Sequence, residues 1–514
     1  MKVIKAHYPF INWLRQNANI LFPVLAFAIP LGVRSIPEIL MGQYLVGFDT
    51  IGYYVPNTVI WLANGINFWS LLSSAPLIYA LLMGVTAAGA PIVVTLKILG
   101  PLILGLLGVA AFFYARKALS WSPIKSLTAA LLSTLYFVAL RISWDMFRSE
   151  LALIFLFVAL IYLQKNKFDF KNGVLLSLTT FLVVLTHQLF AVIMFAILIA
   201  TLTSFSLKKK TNELVKLIIY LMPATTLFFS ILYLNYFVFS TPVIGYSVDF
   251  GGGFNVLTSI SHSDYVLDTL GFLIFCYLPM IPLLIFGARG LKGNIQLKAW
   301  VIWLLIPLLL VIVSPNNLFI GGVLPFRWAM LLTYPLSFYV VEGLFSIKWN
   351  WYKTFYKVAI GLIIAILSVG FMVLPNNDSL SYFGNYPTYI PKSMLQNTVQ
   401  LSDCQDTTNA LLWAQNNIPA NGYLLVHQAF YGWATLYFDL NRLNPYFFAN
   451  LTNIASNIQE NSTSNPLYLI WWINGSGWYG QPNVPASFSE IYHSNNIAVY
   501  KYLPEMNITE KTPN

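Results

Sequence analysis

Long apolar runs alternate with short polar segments along most of the chain. A helix needs ~20 apolar residues to cross the hydrocarbon core of a bilayer. The runs between Asn17–Pro37 and Phe355–Leu374 are close to this length or somewhat shorter, and their number predicts about eleven spans. The pattern therefore predicts a polytopic α-helical membrane protein.

The pattern changes at Pro375, after which Asn, Ser and Thr are frequent and no further span follows. Helical spacing is found over Asp403–Asn417, and short apolar runs typical of strands lie at Tyr423–His427, Leu467–Ile473 and Ile497–Tyr502. We expect residues 1–375 to form a transmembrane domain with an external loop at 38–90. Residues 376–514 are expected to form a small extracytoplasmic α/β domain.

The distribution of charged residues supports this topology and argues against a nucleic-acid partner. The chain is 58% hydrophobic and 9% charged, which excludes a soluble domain of this size, and its net charge is +10. Basic residues cluster between apolar runs, and the predicted spans place every cluster on one side of the membrane, as the positive-inside rule requires. The N-terminus is therefore expected to be cytoplasmic, and no nucleic-acid partner is expected. The clusters are Arg116–Lys117, Lys165–Lys171, Lys208–Lys210, Arg289–Lys298 and Lys348–Lys357.

A polar island directly after the first span carries the leading candidate for chemistry. Gly47–Tyr54 places Asp49 between glycines at the predicted outer membrane edge. Asp49 is either a solvated loop acid or a general base whose pKa is raised by nearby apolar surface. Tyr53 and Tyr54 either stack on a sugar or anchor the loop at the interface.

Arginines gather on the side opposite the lysine clusters, which predicts an outward polar cavity. Arg327 opens a span and either extends to lipid headgroups or clamps a phosphate. His187 either satisfies a polar contact between helices or donates to a phosphate. Arg148 is expected to pair with acids across a short external turn at 141–150, and it is retained as a possible substrate contact. Glu38 is a second loop acid and is expected to contact substrate.

Other chemistries find little support in the sequence. The two cysteines, Cys276 and Cys404, lie in different environments, and no metal-ligand spacing is present. No cofactor or metal is therefore expected. Asp249 is followed by three glycines that neither follow a strand nor open a helix, so this loop does not indicate nucleotide binding.

Taken together, these motifs resemble the GT-C superfamily of membrane glycosyltransferases. The order is a first span, the loop Gly47–Tyr54, a juxtamembrane-like stretch at Ala75–Leu82, alternating spans, Pro325–Trp328 and an external α/β tail. The segment Glu490–Tyr500 resembles tail-domain strands of archaeal members. The likeness covers nearly the whole chain.

The resemblance implies a function and roles for particular residues. It implies that a sugar on a dolichyl-type polyprenyl phosphate or diphosphate is transferred, with inversion, to a glycan, lipid or protein acceptor on the outer face. Asp49 would be the base and Arg327 a contact to the donor phosphate. Oligosaccharyltransferases carry a Trp-Trp-Asp-Tyr-Gly motif, whereas Trp471–Gly475 lacks the acid. A monosaccharide transferase of the mannosyl or aminoarabinose type therefore fits better.

A transporter or flippase for a lipid-linked or polar solute is the alternative. Transporters usually show internal repeats and polar residues at the bilayer midplane. No convincing repeat is present, although Lys97 lies inside a predicted span. A pocket containing both Asp49 and Arg327 would favour the transferase.

Overall fold

Helices form wherever the chain is predominantly apolar, because a bilayer offers no other partners for backbone polar groups. The computed structural model describes residues 8–165, 168–238, 262–313, 325–346, 351–387, 389–446, 451–461, 465–474 and 484–503. Within these ranges the helices before the tail are α1 (Tyr8–Leu40), α2 (Val55–Asn64), α3 (Phe68–Ser73), α4 (Leu77–Ala87), α5 (Ile92–Lys117), α6 (Pro123–Leu135), α7 (Phe137–Asp145), α8 (Phe147–Gln164), α9 (Phe170–Thr186), α10 (Gln188–Leu207), α11 (Thr211–Tyr233), α12 (His262–Tyr277), α13 (Ile281–Gly290), α14 (Ile295–Val313), α15 (Pro325–Leu331), α16 (Thr333–Ser346) and α17 (Trp351–Val373).

The helix lengths agree with a multi-pass membrane protein but do not confirm eleven spans. Among the described residues, six helices are long and apolar enough to cross a bilayer, and the number rises to eight if two bent pairs each count as one span. Four shorter apolar helices, of 10–17 residues, account for other predicted runs.

One bent pair positions part of the candidate site. Helices α6 and α7 meet at an angle of 57°, and Tyr136 between them is extended, with ψ of 140°. The sequence predicted one straight span, Ser126–Leu140, followed by an external turn at 141–150. Instead α7 continues to Asp145 and α8 starts at Phe147, and the side chains of α7 are buried. The bend brings the charged end of α7 into the protein interior.

The tail folds into a mixed sheet flanked by helices. Its elements are α18 (Ser381–Gly384), α19 (Leu401–Asn417), β1 (Tyr423–His427), α20 (Gln428–Tyr437), β2 (Leu443–Tyr446), α21 (Leu451–Asn461), β3 (Leu467–Trp472), β4 (Phe488–Ser494) and β5 (Ile497–Tyr502). The strand order is β2-β1-β3-β5-β4. Strands β1, β2 and β3 are parallel, whereas β5 pairs antiparallel with both β3 and β4.

The predicted helix and three predicted strands of the tail agree with the structure to within a few residues. The structure adds β2, which the sequence did not predict, and β4, which only the resemblance of Glu490–Tyr500 to tail-domain strands had indicated. Both are edge strands: β2 has four residues including Pro445, and β4 leaves much of its length exposed. An edge strand forms backbone hydrogen bonds on one side only, so it tolerates proline and a weak apolar alternation. Both features make a strand harder to predict from the sequence.

The tail packs directly on the loop that carries Asp49. Nδ2 of Asn397 donates to the Leu45 carbonyl at 2.9 Å, and the Gly47 amide donates to the Gln396 carbonyl at 3.1 Å. In α20, Gly432 lies against Ile51 so closely that a Cβ would come within 1.5 Å of the Ile51 carbonyl oxygen. The close approach of these two backbones therefore requires glycine at position 432.

This contact predicts that Gly432→Ala separates the tail from the loop. A methyl group here meets backbone rather than a flexible side chain, so relief requires the two segments to move apart, at a cost of about 1–3 kcal/mol. We expect a melting temperature several degrees below that of the wild type in thermal denaturation of the detergent-solubilised protein. Gly384→Ala is the control, since nothing lies within 4 Å of a Cβ there. Equal melting temperatures for the two variants would contradict the tight contact.

Candidate active site

Asp49 begins a single π-helical turn, Thr50–Tyr54, that leads into α2. An aspartate at a helix start usually caps it by accepting a backbone N–H bond. The Asp49 side chain makes no such capping bond. Instead, the Thr50 hydroxyl donates back to the Val46 carbonyl at 2.6 Å. The local backbone therefore does not use the Asp49 carboxylate.

Gly47 allows the Asp49 loop to lie against α7. Its φ is +100°, a conformation that residues with a side chain rarely adopt. A Cβ at this position would lie 2.0 Å from the Trp144 carbonyl oxygen and 2.9 Å from Cβ of Asp145. The loop and the end of α7 are thus in direct backbone contact, and this contact places Asp49 near Asp145.

The surroundings of Asp49 suit a base. Burial and, to a smaller extent, the nearby Asp145 carboxylate raise the pKa of Asp49, and the net value is about 7 instead of 3.8. Three guanidinium groups, those of Arg327, Arg141 and Arg148, act in the opposite direction and lower the pKa. The carboxylate therefore loses its proton close to neutral pH, in a field supplied by residues from three other helices.

Arg141 is occupied by structural contacts. Its Nη1 pairs with Asp145 at 2.8 Å, and its Nε donates to the Tyr389 carbonyl at 3.0 Å. The i, i+4 pair lies within α7, where helical spacing brings the two side chains together. Arg141 therefore neutralises Asp145 and ties α7 to the segment that leads into the tail.

Arg148 pairs with no acid among the described residues, contrary to the expectation for the predicted turn. Its Nε donates to the Thr186 carbonyl at 3.3 Å, and its Nη2 donates to the Ser74 carbonyl at 2.5 Å. Its guanidinium also lies over the ring of Tyr79, 5.7 Å from the centroid. These neutral partners fix the position of the guanidinium without cancelling its charge, so it can still attract an anion.

Arg327 is the third residue of α15 and is partly exposed. Its Nε is buried and has no hydrogen-bond partner. The Arg327 charge lowers the pKa of both Asp49 and His187, so its guanidinium lies close enough to influence both groups. The Arg327 charge therefore acts on both the candidate base, Asp49, and His187, which the sequence suggested as a second phosphate contact.

His187 separates α9 from α10 and is neutral. Its Nδ1 accepts a hydrogen bond from the Leu189 amide at 3.1 Å, so the proton of the neutral ring is on Nε2. Burial, followed by the charges of Arg148 and Arg327, lowers its pKa well below the ordinary value. His187 can thus donate one hydrogen bond from Nε2 without adding charge.

The two loop tyrosines have different environments. Tyr54 is buried, stacks on Phe147 with centroids 5.5 Å apart, and accepts a bond from the Arg148 amide at 3.3 Å. It therefore packs the loop against α8. Tyr53 is partly exposed and lies near the charges of Asp49 and Arg327. Burial and the Asp49 charge raise the pKa of Tyr53, so it remains protonated.

Glu38 lies in a second cluster and not beside Asp49. Its carboxylate pairs with Arg34 at 2.9 Å and with Lys97 at 3.3 Å. Lys97 also donates to the carbonyls of Glu38 and Tyr44, each at 2.7 Å. The expectation that Glu38 contacts substrate therefore finds no support in its position, since its carboxylate is occupied. Lys97 instead fastens the end of α1 to the start of the Asp49 loop.

Two buried acids, Asp145 and Glu150, had no separate role predicted from the sequence. Asp145 is the carboxylate beside Asp49, and it was expected only in an external turn. Glu150 is fully buried, and neither of its carboxylate oxygens has a hydrogen-bond partner. The i, i+4 spacing of Arg141 and Asp145 is typical of an ion pair on a helix. The sequence could therefore have predicted a helix here instead of a turn.

Two grooves, lined mainly by apolar side chains, meet at Thr225 and Phe229 of α11. One, of 940 Å³, lies between the start of α3 and the C-terminal half of α11. The other, of 290 Å³, lies between α10, α11 and α14. The wall formed by α3 is about 9 Å long. Ser74, the residue after α3, accepts the Arg148 bond, so α3 joins the wall of the larger groove to a contact with Arg148.

No cluster suited to a metal ion is found in the described ranges, where no group of three or more His, Cys, Asp or Glu side chains could hold one. The expectation that no metal or cofactor is needed remains a prediction. The loop with Asp249 and its three glycines lies outside the described residues.

Comparison with solved structures identifies the class of fold. No family model matches the chain, and no curated protein matches it. The fold is similar to that of a solved structure from a bacterium, which is the architecture that the sequence resemblance led us to expect. One such structure is "Crystal Structure of ArnT from Cupriavidus metallidurans bound to Undecaprenyl phosphate".

The likeness extends over nearly both chains. It covers 93% of this chain and 97% of ArnT, with a TM-score of 0.52 and 12% sequence identity. At that identity the comparison establishes the fold. Substrate, acceptor and residue roles must be argued from the site itself.

Proposed function

We propose that this protein is a glycosyltransferase that moves a sugar from a polyprenyl-phosphate or polyprenyl-diphosphate donor to an acceptor hydroxyl at the outer membrane surface. The observation that carries the proposal is the position of Asp49. Its carboxylate is not used for capping, its pKa is about 7, and three arginines from other helices influence it. A base facing a cationic site is the arrangement that transfer from a phosphate leaving group requires.

The donor would lie with its phosphate among Arg148, Arg327 and His187. Two uncancelled guanidinium groups and one neutral N–H donor suit an anion that must be bound and later released. The isoprenoid chain would follow the larger groove along α11. ArnT, which shares this fold, was crystallised bound to undecaprenyl phosphate, and this is consistent with a lipid-linked donor here.

The reaction would be a single displacement with inversion. Asp49 takes the proton of the acceptor hydroxyl while the acceptor oxygen forms its bond to the anomeric carbon. The bond from that carbon to the phosphate oxygen breaks, and the leaving phosphate keeps the electron pair. Arg327 and Arg148 stabilise the charge that builds on this oxygen. Tyr53 borders the same space and is available to contact the sugar.

The experiment that tests this proposal is transfer by the purified protein. Labelled mannosyl, glucosyl and aminoarabinosyl polyprenyl phosphates are supplied separately in nanodiscs with a lipid extract as the acceptor source. A labelled product from at least one donor is the expected result. If every donor remained unreacted while the same nanodiscs moved labelled polyprenyl phosphate between leaflets, the flippase alternative would replace the transferase.

The raised pKa of Asp49 predicts how transfer depends on pH. The basic form of Asp49 is needed, so kcat/KM should rise about tenfold per pH unit below 7 and level off above it. An ordinary aspartate, with a pKa near 3.8, would give a flat profile over the same range. The measurement is kcat/KM from pH 5 to 9, with melting temperatures recorded at each pH to exclude unfolding. A profile that falls as pH rises through 7 would contradict the assignment.

A further inference from the structure

Three side chains form a row across the carboxyl ends of the parallel strands, which we name the edge row. His427 closes β1 and is paired in register with Tyr446, the last residue of β2. On the other side, Val426 pairs with Ile470, so the next residue, His427, lies opposite Trp471. Neighbouring strands carry aligned residues on the same face, so all three side chains project from one face of the sheet.

The edge row lies where the direction of the chain reverses. From β1 the chain passes through α20 to β2 on one side, and from β2 it passes through α21 to β3 on the other side of β1. Right-handed crossovers in opposite directions place these helices on opposite faces. The carboxyl ends of β1 and β3 therefore flank a topological switch point, the usual ligand position in sheets of this kind.

Two polar atoms of the edge row have no partner. The rings are in contact, with His427 5.4 Å from Tyr446 and 5.0 Å from Trp471 between centroids. Tyr446 and Trp471 are 5% and 1% exposed, yet the Tyr446 hydroxyl and the Trp471 indole N–H lack any hydrogen bond. Each buried, unsatisfied polar group is costly, so such a pair indicates that a group other than the described residues satisfies it.

The chemistry of the edge row selects an uncharged ligand. Burial lowers the pKa of His427 to about 3, so its ring is neutral in physiological conditions. Its Nδ1 accepts a hydrogen bond from the Ala429 amide at 3.3 Å. Trp471 and Tyr446 offer an N–H and an O–H beside flat aromatic faces. Neutral donors next to aromatic rings match a sugar, which has hydroxyl groups at its edge and C–H groups on its faces.

We propose that the edge row is a binding site for a neutral sugar ring, distinct from the site around Asp49. Helix α20 starts directly after His427, and its Gly432 lies on Ile51. Five residues of helix span about 8 Å, so a sugar at the edge row lies near the loop that carries Asp49 without entering it. This inference does not depend on the transfer reaction.

The test is saccharide binding by the full-length protein in nanodiscs, measured by saturation-transfer NMR. The probes are free glucose, mannose and N-acetylglucosamine, each at up to about 50 mM, a range that detects weak affinities. We expect saturable binding of at least one probe, weakened about tenfold by Trp471→Phe and by Tyr446→Phe. Each substitution keeps an aromatic ring and removes one donor. Because the Tyr446 hydroxyl has no partner to lose, Tyr446→Phe should keep the wild-type melting temperature.

Matched controls locate the site. Tyr468→Phe changes a buried tyrosine at the other end of β3, and Trp413→Phe changes a tryptophan that stacks on Tyr492. Both should bind the probe as the wild type does, and so should Asp49→Asn. Failure of all three probes to bind the wild type would overturn the inference. So would binding that survives in both edge-row variants, or that is lost in Asp49→Asn alone, because the sugar would then occupy the other site.

Discussion

Asp49→Asn is expected to reduce transfer by about a hundredfold to ten-thousandfold. Asparagine keeps the size of the side chain but cannot accept the acceptor proton near neutral pH. The Asp49 carboxylate makes no capping bond, so its replacement should leave the loop and the melting temperature unchanged. We therefore expect kcat to fall while KM for the lipid-linked donor stays close to that of the wild type. The measurement is steady-state transfer from the donor that the wild type uses.

The control for this variant is Asp378→Asn. Asp378 is an exposed acid in the segment that follows α17, and its charge does not influence Asp49. Its substitution should leave both kinetic constants unchanged. Wild-type rates in Asp49→Asn would remove the proposed base, and equal losses in the two variants would indicate a general charge effect.

Arg327→Gln is expected to reduce kcat/KM by about a hundredfold to a thousandfold, because a charged donor to the leaving phosphate is lost. A second effect follows from its position. The Arg327 charge lowers the pKa of Asp49, so its removal should raise that pKa above 7 and move the acidic limb of the pH profile upwards. An arginine that only contacts lipid headgroups would produce neither effect.

The matched control for Arg327→Gln is Arg289→Gln. Arg289 is an exposed arginine in the last turn of α13. Its charge does not influence Asp49, so kcat/KM and the pH profile should both match the wild type. A loss of activity in Arg327→Gln with an unshifted acidic limb would place Arg327 away from Asp49 and would limit its role to the donor.

The fold was predictable where hydrophobic pattern alone decides structure. Apolar runs predicted a helical membrane protein, and β1, β5 and α19 of the tail agree with their predicted ranges to within a few residues. The pattern failed where two segments share one apolar run. The extended backbone at Tyr136 breaks the helical hydrogen bonding, whereas the sequence around it stays apolar. The bend between α6 and α7 therefore cannot be seen in the hydrophobic pattern.

The candidate site was predictable as a set of residues but not as a geometry. Asp49 and Arg327 are identifiable because charged residues are rare and costly in apolar sequence. The partners of each group depend on tertiary contacts across long sequence separations. Arg148 was expected to pair with an acid, but it bonds to carbonyls at Ser74 and Thr186. Glu38 lies closer to Asp49 in sequence than any arginine that acts on Asp49, yet its carboxylate is occupied by Arg34 and Lys97.

The transporter alternative makes different predictions for the same groups. A solute pathway would need polar groups that continue from the outer site through the bilayer. Lys97 is the deeper charge that suggested such a path, but it is held by Glu38 and by the Tyr44 carbonyl at the end of α1. Its position is better explained by fastening the Asp49 loop than by contacting a moving solute.

The most direct test of the central claim is single-turnover transfer from a labelled polyprenyl-phosphate sugar by the wild type and Asp49→Asn, measured side by side across pH. The account predicts a wild-type rate that rises to a plateau above pH 7, and a much lower rate in the variant without that rise. Equal rates in the two proteins, or the same pH-dependent rise in both, would contradict the claim that Asp49 is the base.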